Sequence, residues 1–316
     1  MNSPIAPGSD SSRKSRPSVS VVIPTYNRAN IVLRALRSVF EQTDPVQEVL
    51  LIDDGSTDDT EAVVRQAYGA RVRYIRQANA GVSAARNRGI RASQCDLVAF
   101  LDSDDLWLPE KTQLQVEFMR RHPAFGMVLC DVERVTEDGS PIDVLRRRDV
   151  LPVDGMIFRD VLRNSALVPA SAMVRREVFD TVGVFDESLR TAEDLDFHLR
   201  VARLWPIGVV ERPLVRAIRG HGGLSAAPSA YDDLVAVYLK IAELVRGEVP
   251  PAELDAAVAS ACLRRARGAL IGGRWLEAVR SVVMARGLSR NVVPARVMFE
   301  FAWSAARRAA SMVLRR

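Results

Sequence analysis

The sequence has few cysteines and no long apolar run. Its three cysteines, Cys95, Cys130 and Cys262, are far apart and odd in number, which argues against a disulfide framework or a zinc site. We expect all three to be reduced, buried thiols. No stretch of 18 uncharged apolar residues occurs, so no membrane-spanning helix is expected. The first residues lack the apolar segment of a signal peptide.

Several catalytic motifs are also absent. The chain has no GxGxxG after its first predicted strand, no GxxxxGK[ST], no GxSxG and no HExxH. These absences argue against a dinucleotide dehydrogenase, a P-loop NTPase, a serine hydrolase and a zinc protease. The formal net charge of +5 fits an anionic ligand, nucleic acid or an acidic membrane surface, and does not choose among them.

The composition divides the 316 residues into three parts. Residues 1–17 are rich in Ser, Pro and charged side chains, which predicts a disordered tail. Strand and helix signals alternate after that, and only helical patterns follow a change of character near residues 226–232. We therefore predict an α/β domain over 18–228 and a helical C-terminal extension over 229–316.

The α/β prediction depends on short apolar runs that alternate with amphipathic segments. Strands are predicted at 18–24, 48–54, 71–77, 95–101, 126–135 and 171–176, and two more at 207–211 and 214–219. Helices are predicted at 29–42, 81–92, 110–121 and 193–204, and another runs from an N-cap among residues 56–59 to Tyr68. Residues 142–170 show no clear pattern. Strand–helix–strand repetition at this pitch predicts right-handed parallel βαβ units with helices on the sheet faces.

Polar side chains follow three of the predicted strands, at the edge where such a sheet binds its ligand. They are Pro24 to Asn27, Asp53-Asp54 and Asp102 to Asp105. The third group lies in VAFLDSDDLW (98–107), whose carboxylates repel one another unless something positive lies between them. Asp102 and Asp104 could hold Mg²⁺ or Mn²⁺ together with phosphate oxygens. The alternative is a set of solvated turn and cap residues.

Other candidates also have a structural alternative. Asp54 could bond a ribose hydroxyl or a base, or only begin the DGSTDDT turn. Glu193 and Asp194 open a helix, whose dipole favours ionised carboxylates. Asp194 could take a proton from an attacking hydroxyl, or both residues could be helix caps. His221 lies in a Gly-rich loop and could reach a metal or phosphate, although a lone loop histidine usually does neither.

Five segments occur together in order: VSVVIPTYNRA, VLLIDDGSTDDT, NAGVSAARNRGI, VAFLDSDDLWLPEK and VFDESLRTAEDLDFHLR. With them the chain resembles the family 2 glycosyltransferases over about residues 18–222. The resemblance implies a GT-A fold with a mixed, mostly parallel central sheet. It also implies transfer of a sugar, with inversion, from a nucleotide diphosphate sugar to an acceptor hydroxyl. The donor is commonly a uridine (UDP) sugar, and polysaccharide biosynthesis of the cell envelope is the expected setting.

The resemblance also assigns roles by position. Asp194 matches the general base, and Asp104 the firmer ligand of a divalent metal, Mn²⁺ or Mg²⁺. Asp102 and, loosely, His221 are further metal candidates, while Asp105 is expected to be structural. Glu193 and Trp107 are placed on the acceptor side. The donor-binding positions are Pro24, Thr25, Tyr26, Asp54, Arg86, Asn87, Asp102 and Ser103.

Two alternatives to this function stay open, a sugar-phosphate nucleotidyltransferase and a non-catalytic nucleotide-binding relative. The C-terminal helix predicted at 294–314 has an arginine-rich polar stripe and a wide apolar face. It could lie in a membrane interface, or pack on the catalytic domain or on a second subunit. A carbohydrate or lipid-linked acceptor, peripheral contact with the inner face of the cytoplasmic membrane and a homodimer are hypotheses from this context. The location is expected to be cytoplasmic, and no nucleic-acid partner is expected.

Overall fold

Ten strands form one sheet in the part of the chain that the computed structural model describes, residues 16–151, 154–164, 168–220 and 229–293. The strands are β1 Val19–Thr25, β2 Glu48–Asp53, β3 Arg73–Arg76, β4 Leu97–Phe100, β5 Leu106–Trp107, β6 Met127–Thr136, β7 Pro141–Leu145, β8 Asp154–Gly155, β9 Met173–Arg175 and β10 Ile207–Arg219. Residues 1–15 of the predicted tail, His221 and the helix predicted at 294–314 lie outside the described residues.

The sheet order is β3-β2-β1-β4-β9-β6-β10-β5, with β7 beside β6 and β8 beside β10. The strands β1 to β4 are mutually parallel, and β6 is parallel to β10. Strand β9 runs antiparallel between β4 and β6, so six strands share one direction and β5, β7, β8 and β9 run against them. The predicted mixed, mostly parallel sheet is confirmed.

Ten α-helices accompany the sheet in the described residues. They are α1 Val32–Phe40, α2 Thr60–Tyr68, α3 Val82–Ala92, α4 Lys111–Arg121, α5 Phe158–Arg163, α6 Arg176–Val182, α7 Glu193–Leu204, α8 Leu234–Leu244, α9 Pro251–Ile271 and α10 Trp275–Leu288. None of them is long and apolar enough to cross a membrane.

Both faces of β1, β2 and β4 are buried, which explains why these strands read as continuous apolar runs. Successive strand residues point to opposite faces. Val22 and Leu50 therefore belong to one apolar core, which includes residues of α3 and α5 to α10, while Val21 and Leu51 belong to the other, with residues of α1, α2 and α4.

The helices α8 to α10 share the first of these two cores. Tyr238, Cys262 and Val282 are buried in the same cluster as Phe197 of α7. All three cysteines are free and buried, as predicted. The division of the chain at 228/229 stays a prediction, and the apolar core is continuous across it.

Two segments differ from the sequence-based expectation. The two short strands predicted at 207–211 and 214–219 are one strand, β10, whose register against β6 shifts on either side of Pro213. Proline has no N–H to donate to a ladder, so a bulge at this point allows the strand to continue. The unassigned stretch 142–170 contains part of β7, all of β8 and α5, which are short elements.

Candidate active site

The loops after β1 and β2 are joined by side-chain hydrogen bonds. The Asn27 N–H donates to the Ser56 hydroxyl at 2.9 Å, and the Thr57 N–H donates to Asn27 Oδ1 at 2.8 Å. Asn27 has φ 52°, in the left-handed region that asparagine tolerates. These hydrogen bonds join the loops at the carboxyl ends of two adjacent parallel strands, where a ligand is expected.

Three of the predicted donor-binding residues end β1 or follow it. Pro24 is buried in the strand, and Tyr26 is 47% exposed at its end. The Thr25 hydroxyl is buried and has no hydrogen-bond partner among the residues that the structure describes. A buried hydroxyl normally has a partner, so Thr25 is an exception at the edge of the sheet where a ligand is expected. The aromatic ring of Tyr26 is exposed at the same edge of the sheet.

The two aspartates after β2 have different partners. Asp54 accepts from the Gln77 side chain and from the Ala80 and Gly81 N–H groups, at 2.8 to 2.9 Å. It therefore fixes the loop that leads into α3. Asp53 is fully buried and accepts from Tyr74 Oη at 2.7 Å and from the Ser56 N–H at 2.8 Å. The predicted nucleotide contact of Asp54 stays a prediction.

Arg86 is the positive group between the acidic segments. One terminal nitrogen donates to Asp102 Oδ1 at 2.8 Å, and the other donates to Glu193 Oε1 at 2.6 Å. The guanidinium is buried and lies over the Phe185 ring, 5.3 Å from its centroid. Burial alone lowers the pKa of Arg86, but the charges of Asp102 and Glu193 outweigh it and raise that pKa. Arg86 thus joins the predicted donor side to the predicted acceptor side.

The turn after β4 holds the remaining acidic residues. The Asp105 N–H donates to the Asp102 carbonyl, and Asp105 Oδ1 accepts from the Ile218 N–H of β10 at 3.2 Å. Asp105 is therefore structural, as predicted. Burial, followed by the charges of Asp102 and Asp104, raises the pKa of Asp105 well above its ordinary value. Ser103 is buried in the turn and lines a small cleft with Asp104.

Asp102 and Asp104 are partly exposed carboxylates in the turn after β4. Their side chains are 28% and 19% exposed, and Arg28 Nη2 lies 3.6 Å from Asp104 Oδ2. No group of three His, Cys, Asp or Glu suited to a metal ion occurs within the described ranges. A cation held here would take its other ligands from phosphate oxygens or water, which is the usual arrangement for Mg²⁺.

Glu193 and Asp194 begin α7, in its first turn. Glu193 is buried against Arg86, whereas Asp194 is partly buried and accepts from the N–H of Leu195 at 2.8 Å. Burial and then the adjacent Glu193 charge raise the pKa of Asp194 to about 7, while Arg86 acts in the opposite direction. A carboxyl group with a pKa near neutrality is suited to exchange a proton with a reacting hydroxyl.

Two predicted contacts have structural partners instead. Trp107 is 3% exposed, packs in the second core and donates its indole N–H to the Ala170 carbonyl at 3.2 Å. Its predicted place on the acceptor side is therefore wrong, since its ring is enclosed by core residues. The fully buried Asn87 amide donates to the Phe185 carbonyl and to Glu187, and accepts from the Phe185 N–H. It holds the segment that supports Arg86, and its nucleotide contact stays a prediction.

The sequence-based prediction missed two features of the site. Arg28 was not assigned to Asp104, although it lies in the PTYNRA segment directly after β1, and β1 is paired with β4. The role of Arg86 as a bridge was also missed. The signal for Arg28 was present, because residues that follow neighbouring parallel strands meet at one edge of the sheet.

Comparison with known proteins identifies the family. The family model for glycosyl transferase family 2 matches residues 20–183, about half of the chain. The chain therefore belongs to this family. It is 32% identical over 184 residues to TuaG of Bacillus subtilis (strain 168), a glycosyltransferase named for teichuronic acid biosynthesis. That match covers 57% of this chain and 70% of the relative.

Other relatives are much longer. An uncharacterized glycosyltransferase of Rickettsia felis is 33% identical over 206 residues, which are 65% of this chain and 33% of the relative. The chain spans about a third of the length of this protein and of two similar Rickettsia proteins.

Solved structures show the same fold. TarS 1–349 of S. aureus in complex with UDP-GlcNAc has a TM-score of 0.67 and 22% identity, over 87% of this chain and 82% of that chain. A mannosyltransferase of Pyrobaculum calidifontis in complex with GDP-Man and Mn²⁺ has a TM-score of 0.58 and 22% identity, over 93% and 87%. The predicted GT-A fold is confirmed.

Proposed function

We propose that this glycosyltransferase moves a sugar, with inversion, from a nucleoside diphosphate sugar to an acceptor hydroxyl. The donor is a UDP sugar, a divalent cation assists, and Asp194 is the general base. The observation that carries the proposal is the bridge of Arg86 between Asp102 and Glu193. It holds Asp102, one of the two carboxylates proposed to bind a metal with phosphates, beside the first turn of α7, where the partly buried Asp194 lies.

The reaction follows from this arrangement. Asp194 takes the proton of the acceptor hydroxyl as the oxygen forms a bond to the anomeric carbon. The bond from that carbon to the diphosphate oxygen breaks on the opposite face, and its electron pair leaves with the nucleoside diphosphate. A single displacement inverts the anomeric centre and needs no covalent intermediate on the protein. Glu193, held by Arg86, orients the first turn of α7 and contributes to the pKa of Asp194.

The donor side is proposed to use the edge formed by β1, β2 and β4. Tyr26 would contact the base, while Thr25 and Asp54 would hold the nucleoside. Asp104 and Asp102 would hold Mn²⁺ or Mg²⁺, and His221 is a further candidate ligand. When bound, the cation would neutralise charge on the leaving diphosphate. Complexes of the two similar structures with UDP-GlcNAc and with GDP-Man and Mn²⁺ support a donor of this class.

The acceptor is proposed to be a growing carbohydrate or a lipid-linked sugar of the cell envelope. The similarity to TuaG, and 28% identity over 192 residues to the chondroitin synthase of Escherichia coli, support a polysaccharide product. With a lipid-linked acceptor, the transfer would take place at the inner face of the cytoplasmic membrane. The basic segment 294–314 and a homodimer stay hypotheses for how that contact is made.

Titration calorimetry with UDP and with GDP, each with and without Mn²⁺, tests the donor site. We expect UDP to bind more tightly with Mn²⁺ than without it. Asp104→Asn should remove most of the metal dependence, because it keeps the side-chain shape and removes the charge. Asp180→Asn, which changes an exposed carboxylate on α6, is the matched control. If neither nucleotide binds, the donor assignment fails. Unchanged metal dependence in Asp104→Asn refutes the metal role.

Turnover is tested with a panel of nucleotide sugars, by release of the nucleoside diphosphate. We expect Asp194→Asn to lose about 10²-fold or more in kcat while UDP affinity changes little, because the base acts on the acceptor and not on the donor. Normal turnover in this variant would refute the assignment of the base. A non-catalytic relative would bind UDP and turn over no sugar in the whole panel.

A further inference from the structure

The helix α10 is apolar on the side that faces away from the protein. Its inner side is formed by Ala278, Ser281, Val282 and Ala285, which are buried. On the outer side, Leu276 is 76% exposed, Val283 57%, Val279 44% and Met284 40%, and Ile271 at the end of α9 is 68% exposed. We call these five residues the outer apolar face. A helix that covers a core normally has a polar outer side, so this face is suited to cover by something apolar.

The charge around the outer apolar face has one sign. Residues 256–293 contain seven arginines and one acid, Glu277. Glu277 is already ion-paired with Arg274. Arg280 is exposed on α10 one turn after Leu276, Arg290 is exposed just after the helix ends at Leu288, and Arg267 is exposed one turn before Ile271. A partner must therefore accept apolar side chains and also carry negative charge.

We propose that the outer apolar face is a membrane-docking surface that binds an anionic lipid bilayer. The leucine, valine, isoleucine and methionine side chains would enter the region below the headgroups, and the arginines would contact lipid phosphates. This combination of an apolar stripe and flanking arginines is what an interfacial helix requires. The long arginine side chains can reach the headgroups while their apolar stems stay near the acyl chains.

Charge argues against the other two occupants. A second copy of the chain would place the same arginines on both sides of the contact, and Glu277, the acid of α10, is already paired with Arg274. The C-terminal segment 294–316 contains five arginines and one glutamate, so it is also positively charged and does not complement the charge of the outer apolar face. An anionic bilayer is complementary in both charge and polarity.

Vesicle sedimentation with the full chain tests the surface. The probes are phosphatidylcholine vesicles with and without phosphatidylglycerol. We expect binding only when phosphatidylglycerol is present, and a decrease with added salt. Leu276→Glu/Val283→Glu should weaken partitioning by about tenfold or more, because it removes two inserted side chains and adds repulsion from the lipids. Ile142→Glu/Leu204→Glu is the matched control, since these side chains are 50% and 51% exposed outside α8 to α10.

A second variant separates charge from apolar contact. Arg280→Gln/Arg290→Gln keeps the apolar stripe and should weaken both the binding to phosphatidylglycerol vesicles and its dependence on salt, whereas the Leu276/Val283 variant should keep the salt dependence of its remaining binding. Circular dichroism checks that all variants fold. The proposal is overturned if the Leu276/Val283 variant binds vesicles like the control. Loss of binding only on deletion of 294–316 is one form of this outcome, because the C-terminal segment would then bind the membrane. It is also overturned if light scattering shows a dimer that this variant dissociates.

These outcomes do not depend on sugar transfer. Vesicle binding can be lost while turnover with a soluble acceptor persists, and turnover can fail while binding persists. The test of the docking surface therefore stays separate from the test of the proposed function.

Discussion

Replacing Asp194 by asparagine should make the protein more stable at neutral pH, and less active. The pKa of this carboxyl group is raised from 3.8 to about 7 by burial and then by Glu193. The native state therefore holds a proton on Asp194 that the unfolded chain has released, at every pH between these two values. Stability from this group falls as pH rises through that window, because ionisation is opposed in the folded state. Asparagine keeps the shape and never ionises.

The size of the effect follows from the width of the window. About three pH units correspond to roughly 4 kcal/mol, which is an upper limit for the free energy that ionised Asp194 costs above pH 7. About 1.5 kcal/mol of this is already present at pH 5. The stability advantage of Asp194→Asn over the natural protein should therefore grow by roughly 2–3 kcal/mol from pH 5 to pH 8.

Urea unfolding at several pH values between 5 and 8 measures this difference without any substrate. Asp180→Asn, at the exposed carboxylate of α6, serves as the control and should show little change with pH. A difference for Asp194→Asn that is independent of pH would refute the argument from burial. The same pKa predicts that kcat/KM of the natural protein falls tenfold per pH unit below about pH 7, since the base must be ionised.

Three further substitutions test the fold and the site. Arg86→Gln should cost about 3–5 kcal/mol of unfolding free energy, because it leaves Asp102 and Glu193 without their shared partner. Arg86→Lys cannot donate to both carboxylates in the same geometry, so it should recover only part of that free energy. Equal stability of the natural protein and both variants in urea would contradict the bridge. Trp107→Phe should lower stability by about 1 kcal/mol through the lost bond to Ala170 and leave acceptor KM unchanged; a raised KM at unchanged stability would restore Trp107 to the acceptor side. Gly89→Ala should destabilise by about 1–3 kcal/mol, because its Cβ would lie 2.3 Å from Val22 Cγ1. Gly287→Ala has open space and should be neutral or stabilising by up to about 1 kcal/mol, so equal thermal unfolding of these two variants would refute the packing argument.

The first half of the fold was predictable because its signals are local. The strands β1, β2 and β4 are apolar runs, β3 alternates in polarity, and α1 to α3 have amphipathic spacing, so periodicity alone separates strands from helices. Strand β10 was not predicted as one element, since Pro213 interrupts the pattern and only the bulged pairing with β6 carries the strand across it. Strands β5 and β8 have two residues each and are defined by their partners, which local sequence does not show.

The site divides in the same way. The carboxylates at 102, 104 and 194 were predicted as candidates from their positions at a strand end and a helix start, and the family resemblance gave them their roles. The partners of Arg86 were not, because they lie 16 and 107 residues away and meet only through the sheet topology. Trp107 was misassigned for a related reason. It was placed on the acceptor side, whereas the pairing of β5 with β10 takes its side chain into the core.

The bridge through Arg86 also has a consequence for the order of folding during synthesis. Arg86 and Glu193 are separated by 107 residues, a span that takes roughly 5–20 s to synthesise. Until α7 has left the ribosome, the early strands and α3 have no Glu193 to pair with the Arg86 guanidinium. The first hundred residues should therefore be a poor folding unit by themselves, with an arginine that resists burial. We therefore expect burial of this arginine with both of its partners to be a late step of folding, one that brings the two halves of the acidic cluster together.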